Sequence, residues 1–230
     1  MAKITINGPI VSSSEKWIYD WFDIPATSPK DVSKVLDGLT DGESVEIEIA
    51  SGGGSAFAGA EIYTLLKAHK APITVKIMSV AASAASVIAM AGDKIYISPV
   101  AQIMIHNAAM QSAGDYRQHA HDADFLANYN DTISNAYMLK TGLDKTTLLA
   151  MMDNETWFTA KQAIENHFAD EILFDDEKRV AASFDSGLLP REVIDKMTIE
   201  LAAKNQPKAK EPEADFIMLK NKINLERWRF

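Results

Sequence analysis

The sequence contains no cysteine among its 230 residues. This absence excludes disulfide scaffolds, thiolate nucleophiles, cysteine-ligated zinc and iron–sulfur clusters. Positive charge is also scarce, because 23 lysines and arginines stand against 32 aspartates and glutamates, for a net charge of −9. The field of such a chain repels phosphate, so we expect no nucleic-acid partner and no binding to an anionic membrane.

Long hydrophobic runs are missing as well. The most apolar segment, residues 80–92, is short and is interrupted by Ser83 and Ser86, whereas a membrane-spanning helix needs about 20 apolar residues in succession. Residues 1–6 lack the apolar core of a signal peptide. With 47% hydrophobic residues, the chain can bury a core, and we expect a globular cytoplasmic protein without a membrane partner.

The central part of the chain alternates between strand and helix signals. Apolar and acidic residues alternate over 45–49, which predicts a strand with one buried face. A glycine-rich turn and an amphipathic helix follow before a second β-rich run at 73–78, and this order is typical of a βαβ unit with parallel strands. The same reasoning predicts a turn over 79–83, a helix over 84–91, and strands over 94–97 and 101–105.

The flanking segments extend this α/β pattern. Ser28 followed by Pro29 predicts a helix start, with the serine as cap and the proline in the first turn. Residues 114–139 are polar and free of proline, which predicts one helix longer than a single globular face requires, as interface helices often are. Two short helices over 144–152 and 159–166 and a strand over 171–174 close the predicted folded region.

The composition changes near residue 180. Residues 185–230 carry 9 basic and 8 acidic side chains, against 14 basic and 24 acidic ones before them. An amphipathic helix over 191–204, a flexible linker over 205–214 and an apolar end over 216–230 are predicted. The sequence thus predicts one domain over residues 1–180 and a C-terminal extension over residues 181–230.

Ser83 is the clearest candidate nucleophile in a chain without thiols. Its neighbours are small, and the helix predicted after it directs free N–H groups toward the place where an oxyanion would form. A plain helix-cap role is the common alternative for such a serine. Ser86 lies in the same local motif, but it would stand one turn inside the helix and face away from those N–H groups.

Three other segments carry residues that suit a serine hydrolase. His106 ends an apolar strand, where parallel folds collect active-site groups, although a core histidine is the alternative. The glycine run at 51–55 is either a plain turn or a set of N–H groups bared for a peptide or an oxyanion, and its spacing does not match a phosphate-binding loop. Asp153 or Glu155 could orient the imidazole of His106, or lie in a solvated loop. No metal-ligand spacing is present, so no metal or other cofactor is predicted.

Taken in order, these segments resemble the proteolytic subunit of Clp protease (ClpP), over most of the chain between residues 8 and 172. Residues 49–55 are similar to the strand and Ser-Pro-Gly-Gly segment of the family, with Gly52 in place of the proline. Residues 81–83, with the helix that follows, are similar to the nucleophile segment. Residues 104–106 are similar to the strand that carries the catalytic histidine. Each segment is weakly specific alone, and the ordered set is specific.

The resemblance implies a ClpP/crotonase-like α/β fold of stacked βαβ units with a long projecting helix. It also implies a serine endopeptidase whose catalytic triad is Ser83, His106 and Glu155. The spacing to the end of the helix matches the family for Ser83 rather than for Ser86. The family usually has aspartate where this chain has Glu155, so Asp153 stays as the alternative third member.

The rest of the site and the assembly follow from the same resemblance. The amides of Gly53 and Ala84 are expected to hold the oxyanion, and Gly53 and Gly54 to pair with the backbone of an extended peptide substrate. The family resemblance implies a homo-oligomeric ring, either a heptamer or a tetradecamer, that cleaves protein or peptide substrates and needs no metal or nucleotide.

The amino-acid sequences of residues 81–93 and 155–160 are similar to those of one branch of the family, the phage head-maturation (prohead) proteases. This implies ATP-independent processing of scaffold or capsid proteins during virion assembly, in the host cytoplasm or inside the assembling capsid. The extension over 181–230 would then tether the protease to scaffold or capsid protein, or be removed by self-cleavage. Two other functions stay open: a non-catalytic ring that takes part in capsid assembly, and a crotonase-type enzyme acting on acyl-CoA.

Overall fold

A computed structural model describes residues 1–40 and 42–174. The chain divides into two units, Met1–Asp175 and Asp176–Phe230, and the described residues belong to the first. The predicted extension over 181–230, with its helix, linker and apolar end, lies outside the described residues.

The described strands form one mixed sheet that is mostly parallel. The strands are β1 (Ala2–Asn7), β2 (Val45–Ser51), β3 (Ile73–Ala82), β4 (Lys94–Ile97), β5 (Gln102–Ile105), β6 (Thr156–Thr159) and β7 (Glu171–Ile172). Their order is β1-β2-β3-β4-β7, and β5 is placed between β3 and β6. All paired strands run parallel except β5 and β6. The predicted α/β class with a parallel sheet is confirmed.

The helices connect these strands and cover the core. As predicted, Ser28 begins the second helix, and both its N–H and its hydroxyl donate to the carboxylate of Asp31, at 2.9 and 2.8 Å. The helices are α1 (Lys16–Trp21), α2 (Pro29–Leu36), α3 (Ala56–Ala68), α4 (Ala84–Ala89), α5 (Tyr116–Thr141), α6 (Lys145–Asp153) and α7 (Ala160–Glu165).

The two faces of the sheet differ in character. On one face, aligned β-branched side chains form rows across β1 to β4, such as Ile6, Ile49, Ile77 and Ile97, all fully buried. On the other face, ion pairs join neighbouring strands, Lys3 to Glu48 and Lys76 to Glu46, each at 2.7 Å. The alternation predicted for residues 45–49 is therefore confirmed, because every second residue of β2 faces the core.

Two segments differ from the sequence prediction. The prediction of a turn over 79–83 is wrong, because β3 continues to Ala82 and its last three residues pair with β5. The segment before residue 159, for which a solvated loop is one of the two interpretations above, contains strand β6, which pairs antiparallel with β5. In both cases the strand forms because a partner strand supplies hydrogen bonds that local periodicity does not reveal.

The long helix predicted over 114–139 is confirmed as α5. Asp115 caps it by accepting from the N–H groups of Arg117 and Gln118, and Gly142 ends it in the left-handed conformation. The 26 residues make a rod of about 39 Å. Its first three turns are exposed except for Asp122, whereas Tyr137 near its other end is fully buried. Among the described residues, no helix has the length and apolar character that a membrane span requires.

Candidate active site

Strands β3 and β5 bring Ser83 and His106 together. The two strands are parallel neighbours whose ends align, with Ala82 opposite Met104. Ser83 follows the first strand and His106 follows the second, so both side chains stand at one edge of the sheet. His106 Nε2 lies 2.8 Å from Ser83 Oγ. This is the distance at which a serine hydroxyl donates to a neutral imidazole that serves as its base.

The backbone at Ser83 makes a strained turn from β3 into α4. Its φ of 54° and ψ of −125° lie in a region that residues other than glycine rarely adopt. Hydrogen bonds fix the turn on both sides: the N–H of Ser83 donates to the carbonyl of Met104 at 3.0 Å, and its own carbonyl accepts from the N–H of Ser86 at 2.9 Å. A sharp strand-to-helix turn of this kind lifts a serine side chain clear of the sheet.

Gly53 packs directly against the nucleophile turn. A Cβ at this position would lie 2.7 Å from the Cβ of Ser83 and 2.8 Å from the carbonyl oxygen of Ala82, and the φ of Gly53 is +99°. Only glycine fits here without displacing the turn. Both backbone groups of Gly53 are occupied, since its N–H donates to Ser51 Oγ at 3.1 Å and its carbonyl accepts from the N–H of Ile10 at 2.9 Å.

The prediction of Gly53 as an oxyanion donor therefore conflicts with its bond to Ser51. Two neighbouring amides are available instead: within the described ranges, neither the N–H of Gly54 nor that of Ala84 has an acceptor. The carbonyl of Gly54 likewise accepts no hydrogen bond from those residues, and Gly54 is exposed. Of the two glycines predicted to pair with a substrate backbone, Gly54 is thus the one with free groups.

Neither predicted acidic residue contacts His106. Glu155 is exposed, has a φ of 44°, and accepts a hydrogen bond from the indole N–H of Trp157 at 3.4 Å. Asp153 accepts from the side-chain amide of Asn107 at 2.7 Å. Across residues 1–40 and 42–174, the hydrogen bond of His106 is the one with Ser83, and its Nδ1 has no carboxylate partner. The structure brings together the first two predicted triad members and leaves the third outside.

Ser86 has a different environment from Ser83. It is fully buried, its hydroxyl donates to the carbonyl of Ser83 at 2.6 Å, and its oxygen lies 2.8 Å from the phenolic oxygen of Tyr137. Burial raises the pKa of Tyr137 well above the ordinary value for tyrosine. No sequence pattern points to Tyr137, because only the packing of α5 against α4 brings it to this site.

A small hollow opens beside the Ser83–His106 pair. It is bounded by one residue of α3, by the first turn of α4, by the segment after β5 and by α5. Its walls are mostly apolar. The lining residues are Ala56, Ser83, Ala84, Val87, His106, Ala108, Ile133 and Tyr137.

Comparison with known proteins shows the family of this chain. The family model described as Clp protease matches residues 31–176. This chain belongs to the Clp protease family. Members of the Clp protease family are peptidases, so by family the chain is a peptidase, a hydrolase of peptide bonds. The resemblance to the proteolytic subunit of Clp protease is confirmed at this level.

Relatives within the Clp protease family are similar over the same part of the chain. The ATP-dependent Clp protease proteolytic subunit of Deinococcus radiodurans is 27% identical over 141 residues, which cover 60% of this chain and 69% of the relative. Proteolytic subunit 1 of Chlamydia abortus is 30% identical over 145 residues, covering 60% and 74%. The subunit of Bacteroides fragilis is 34% identical over 143 residues, covering 60% and 68%.

Proposed function

We propose that this chain is a serine-type endopeptidase in which Ser83 is the nucleophile and His106 the general base. The observation that carries the proposal is the 2.8 Å contact between Ser83 Oγ and His106 Nε2 at a strained turn. The imidazole takes the hydroxyl proton as the oxygen attacks a peptide carbonyl, and then gives that proton to the leaving amine. Water, activated by the same imidazole, hydrolyses the acyl-enzyme.

The oxyanion would be held by the amides of Ala84 and Gly54. Both N–H groups lack an acceptor in the described part of the chain, and the N–H of Gly53, our first candidate, is occupied by Ser51. Gly53 keeps a role in this proposal because the absence of its side chain leaves room for the nucleophile turn. The free carbonyl of Gly54 would accept from a backbone N–H of an extended substrate.

Glu155 is our proposed third member, with Asp153 as the alternative. For this role, the Glu155 carboxylate must give up the hydrogen bond from the indole N–H of Trp157 and accept one from the Nδ1–H of His106 instead. Glu155 is exposed and the indole hydrogen bond is long, at 3.4 Å, so the loss of that bond costs little free energy. Catalytic hydrogen bonds in free enzymes often tighten only when substrate is bound.

The decisive experiment is labelling with a fluorophosphonate probe followed by peptide mapping. We expect an adduct on Ser83 in the wild type and no adduct in the Ser83→Ala and His106→Ala variants. An adduct on Ser86 would contradict the assignment of the nucleophile. An unlabelled wild type in its assembled form would contradict the proposed serine hydrolase.

We further propose that the chain acts without ATP, as a homo-oligomeric ring, on scaffold or capsid proteins during phage head maturation. The support is the similarity of residues 81–93 and 155–160 to the phage branch of the family. Incubation with a phage capsid precursor and its scaffold protein, followed by intact-mass spectrometry, tests this role. We expect defined cleavage products in the absence of nucleotide that the Ser83→Ala variant does not make, and unchanged masses would contradict the role.

One observation favours a second candidate, a non-catalytic ring that takes part in capsid assembly. His106 has no carboxylate partner among the described residues, and such a site is expected to be a poor base. For a non-catalytic ring, capsid assembly would be normal with Ser83→Ala and the wild type would show no cleavage. Detectable peptidase activity that is lost in Ser83→Ala would exclude it.

A further inference from the structure

A chain of two hydroxyls leads from α5 to the nucleophile turn. Ser86 Oγ lies 2.6 Å from the carbonyl oxygen of Ser83 and 2.8 Å from the phenolic oxygen of Tyr137. A hydroxyl has one hydrogen, and a carbonyl can only accept, so Ser86 donates to Ser83. Tyr137 must therefore donate to Ser86. The direction of the chain is fixed from Tyr137 through Ser86 to the carbonyl of Ser83.

The two hydroxyls are shielded from water. Ser86 is 0% exposed and Tyr137 is 1% exposed. Burial also raises the pKa of Tyr137, so its hydroxyl keeps its proton, and its ability to donate, at neutral pH. Hydrogen bonds in such surroundings are electrostatically stronger than those in water and are costly to break.

The carbonyl that receives this chain belongs to the same peptide group as the Ala84 N–H. The described chain has no cis peptide bond, so the carbonyl of Ser83 and the N–H of Ala84 point in opposite directions from one plane. Three donors hold the carbonyl on the inner side: Ser86 Oγ at 2.6 Å, the N–H of Ser86 at 2.9 Å and the N–H of Val87 at 3.3 Å. The N–H of Ala84 is left without an acceptor on the other side.

We infer that Tyr137 and Ser86 are positioning residues for the oxyanion donor of this site, an inference that rests on the proposed function of Ser83 as nucleophile. Their hydroxyls fix the plane of the peptide group that follows the strained residue Ser83, and thereby the direction of the Ala84 N–H. A hydrogen bond to the carbonyl of an amide also polarises the N–H of that amide, which strengthens it as a donor. Because Tyr137 belongs to α5, the long helix takes part in the geometry of the nucleophile turn.

The test compares Tyr137→Phe, Ser86→Ala and the double variant in the full chain. Peptide hydrolysis gives kcat and KM, and inhibition by a peptide aldehyde, whose hemiacetal carries an oxyanion, reports on the oxyanion site. We expect kcat to fall about 3- to 10-fold in Tyr137→Phe and about 10- to 30-fold in Ser86→Ala. Both losses are smaller than the loss in kcat on removing an entire oxyanion donor, which is about 10²- to 10³-fold. KM should stay within about twofold, and aldehyde affinity should fall in step with kcat.

The double variant separates a chain from two independent effects. If the hydroxyls act in series, adding Tyr137→Phe to Ser86→Ala lowers kcat no further. The Tm of the double variant should be higher than that of Ser86→Ala. The single variant leaves the buried hydroxyl of Tyr137 without a partner, and the double variant removes that hydroxyl. Active-site titration with the fluorophosphonate probe keeps the kcat values independent of any unfolded fraction.

Tyr129→Phe is the matched control. Tyr129 lies on the same helix, and its hydroxyl oxygen is buried with no hydrogen-bond partner in the described part of the chain. Removing that hydroxyl should leave kcat and aldehyde affinity unchanged. Wild-type kcat and aldehyde affinity in Tyr137→Phe, or fully additive losses in the double variant, would overturn the inference alone. An unlabelled wild-type Ser83 would overturn the proposed function and this inference with it.

Discussion

The turn at Ser83 and the turn at Glu155 both hold a residue other than glycine at positive φ, 54° and 44°, but their surroundings differ. The carbonyl of Ser83 accepts three hydrogen bonds, its N–H donates to β5, and the glycine run packs against it. Glu155 is exposed, and its carboxylate has one long hydrogen bond to Trp157. Hydrogen bonds hold the strained backbone at both turns, since the N–H of Glu155 also donates to the carbonyl of Met152 at 3.1 Å. The difference lies in the side chains: Ser83 is held against His106 at 2.8 Å, whereas the exposed carboxylate of Glu155 is adjustable.

This difference shows which part of the site is preorganised before substrate binds. The nucleophile, its base and the neighbouring N–H groups are held by strand pairing and buried hydrogen bonds, which are present without substrate. The acidic residue is held by a side-chain contact at the surface, which a modest change in free energy can exchange.

Removing the nucleophile should have the largest effect. Ser83→Ala is expected to lower kcat by at least about 10⁴-fold, because no other group can form the acyl-enzyme. The fold should be kept, since alanine fits where serine is half-buried. Peptide hydrolysis and thermal unfolding measure the two quantities. Ser79→Ala, at an exposed position of β3, is the control and should retain full activity.

Exchanging the acidic residues should show which of them orients the imidazole. We expect Glu155→Gln to lower kcat by about 10²- to 10⁴-fold, because the amide stabilises the wrong tautomer of His106 and not the imidazolium. Asp153→Asn should cost little, since Asp153 holds Asn107 and not His106. Measured kcat values for both variants identify the carboxylate that orients the imidazole. The reverse order would assign the role to Asp153, and wild-type activity in both would remove the carboxylate from the mechanism.

Adding a methyl group beside the nucleophile turn should disturb the rigid half of the site. Gly53→Ala places a Cβ 2.7 Å from the Cβ of Ser83 at a φ of +99°, so the turn must move. A displacement near 1 Å costs about 10²-fold in kcat. Gly52→Ala is a matched control, because a Cβ there meets nothing within 4 Å. Equal activities of the two variants, measured by peptide hydrolysis, would show that the turn is less rigid than we infer.

Releasing the carboxylate of Glu155 should have the smallest effect. Trp157→Phe keeps an aromatic ring at a position that is 45% exposed and removes the indole N–H that binds Glu155. A long, exposed hydrogen bond contributes less than about 1 kcal/mol, so we expect kcat to rise by no more than about threefold. The same change in a Glu155→Gln background should have no effect on kcat. A fall in kcat for the single variant would mean that Trp157 supports the productive position of Glu155.

Much of the fold was predictable because its signals are local. The strand alternation at 45–49, the strand over 94–97 and the cap at Ser28 depend on residues close together in the chain, and each was predicted near its observed place. The bounds predicted for the long helix, 114–139, are within two residues of Tyr116–Thr141. The position of His106 at the end of its strand follows from the same periodicity.

The sequence by itself thus determined the class of fold, the long helix and the two residues that meet at the sheet edge. Only the tertiary structure decided the last residues of β3, the strand β6, the occupied amide of Gly53 and the indole contact of Glu155. The contact between Ser86 and Tyr137 joins residues 51 positions apart. Such features depend on which distant groups are packed together, and the competition between hydrogen-bond partners is settled only when the chain has folded.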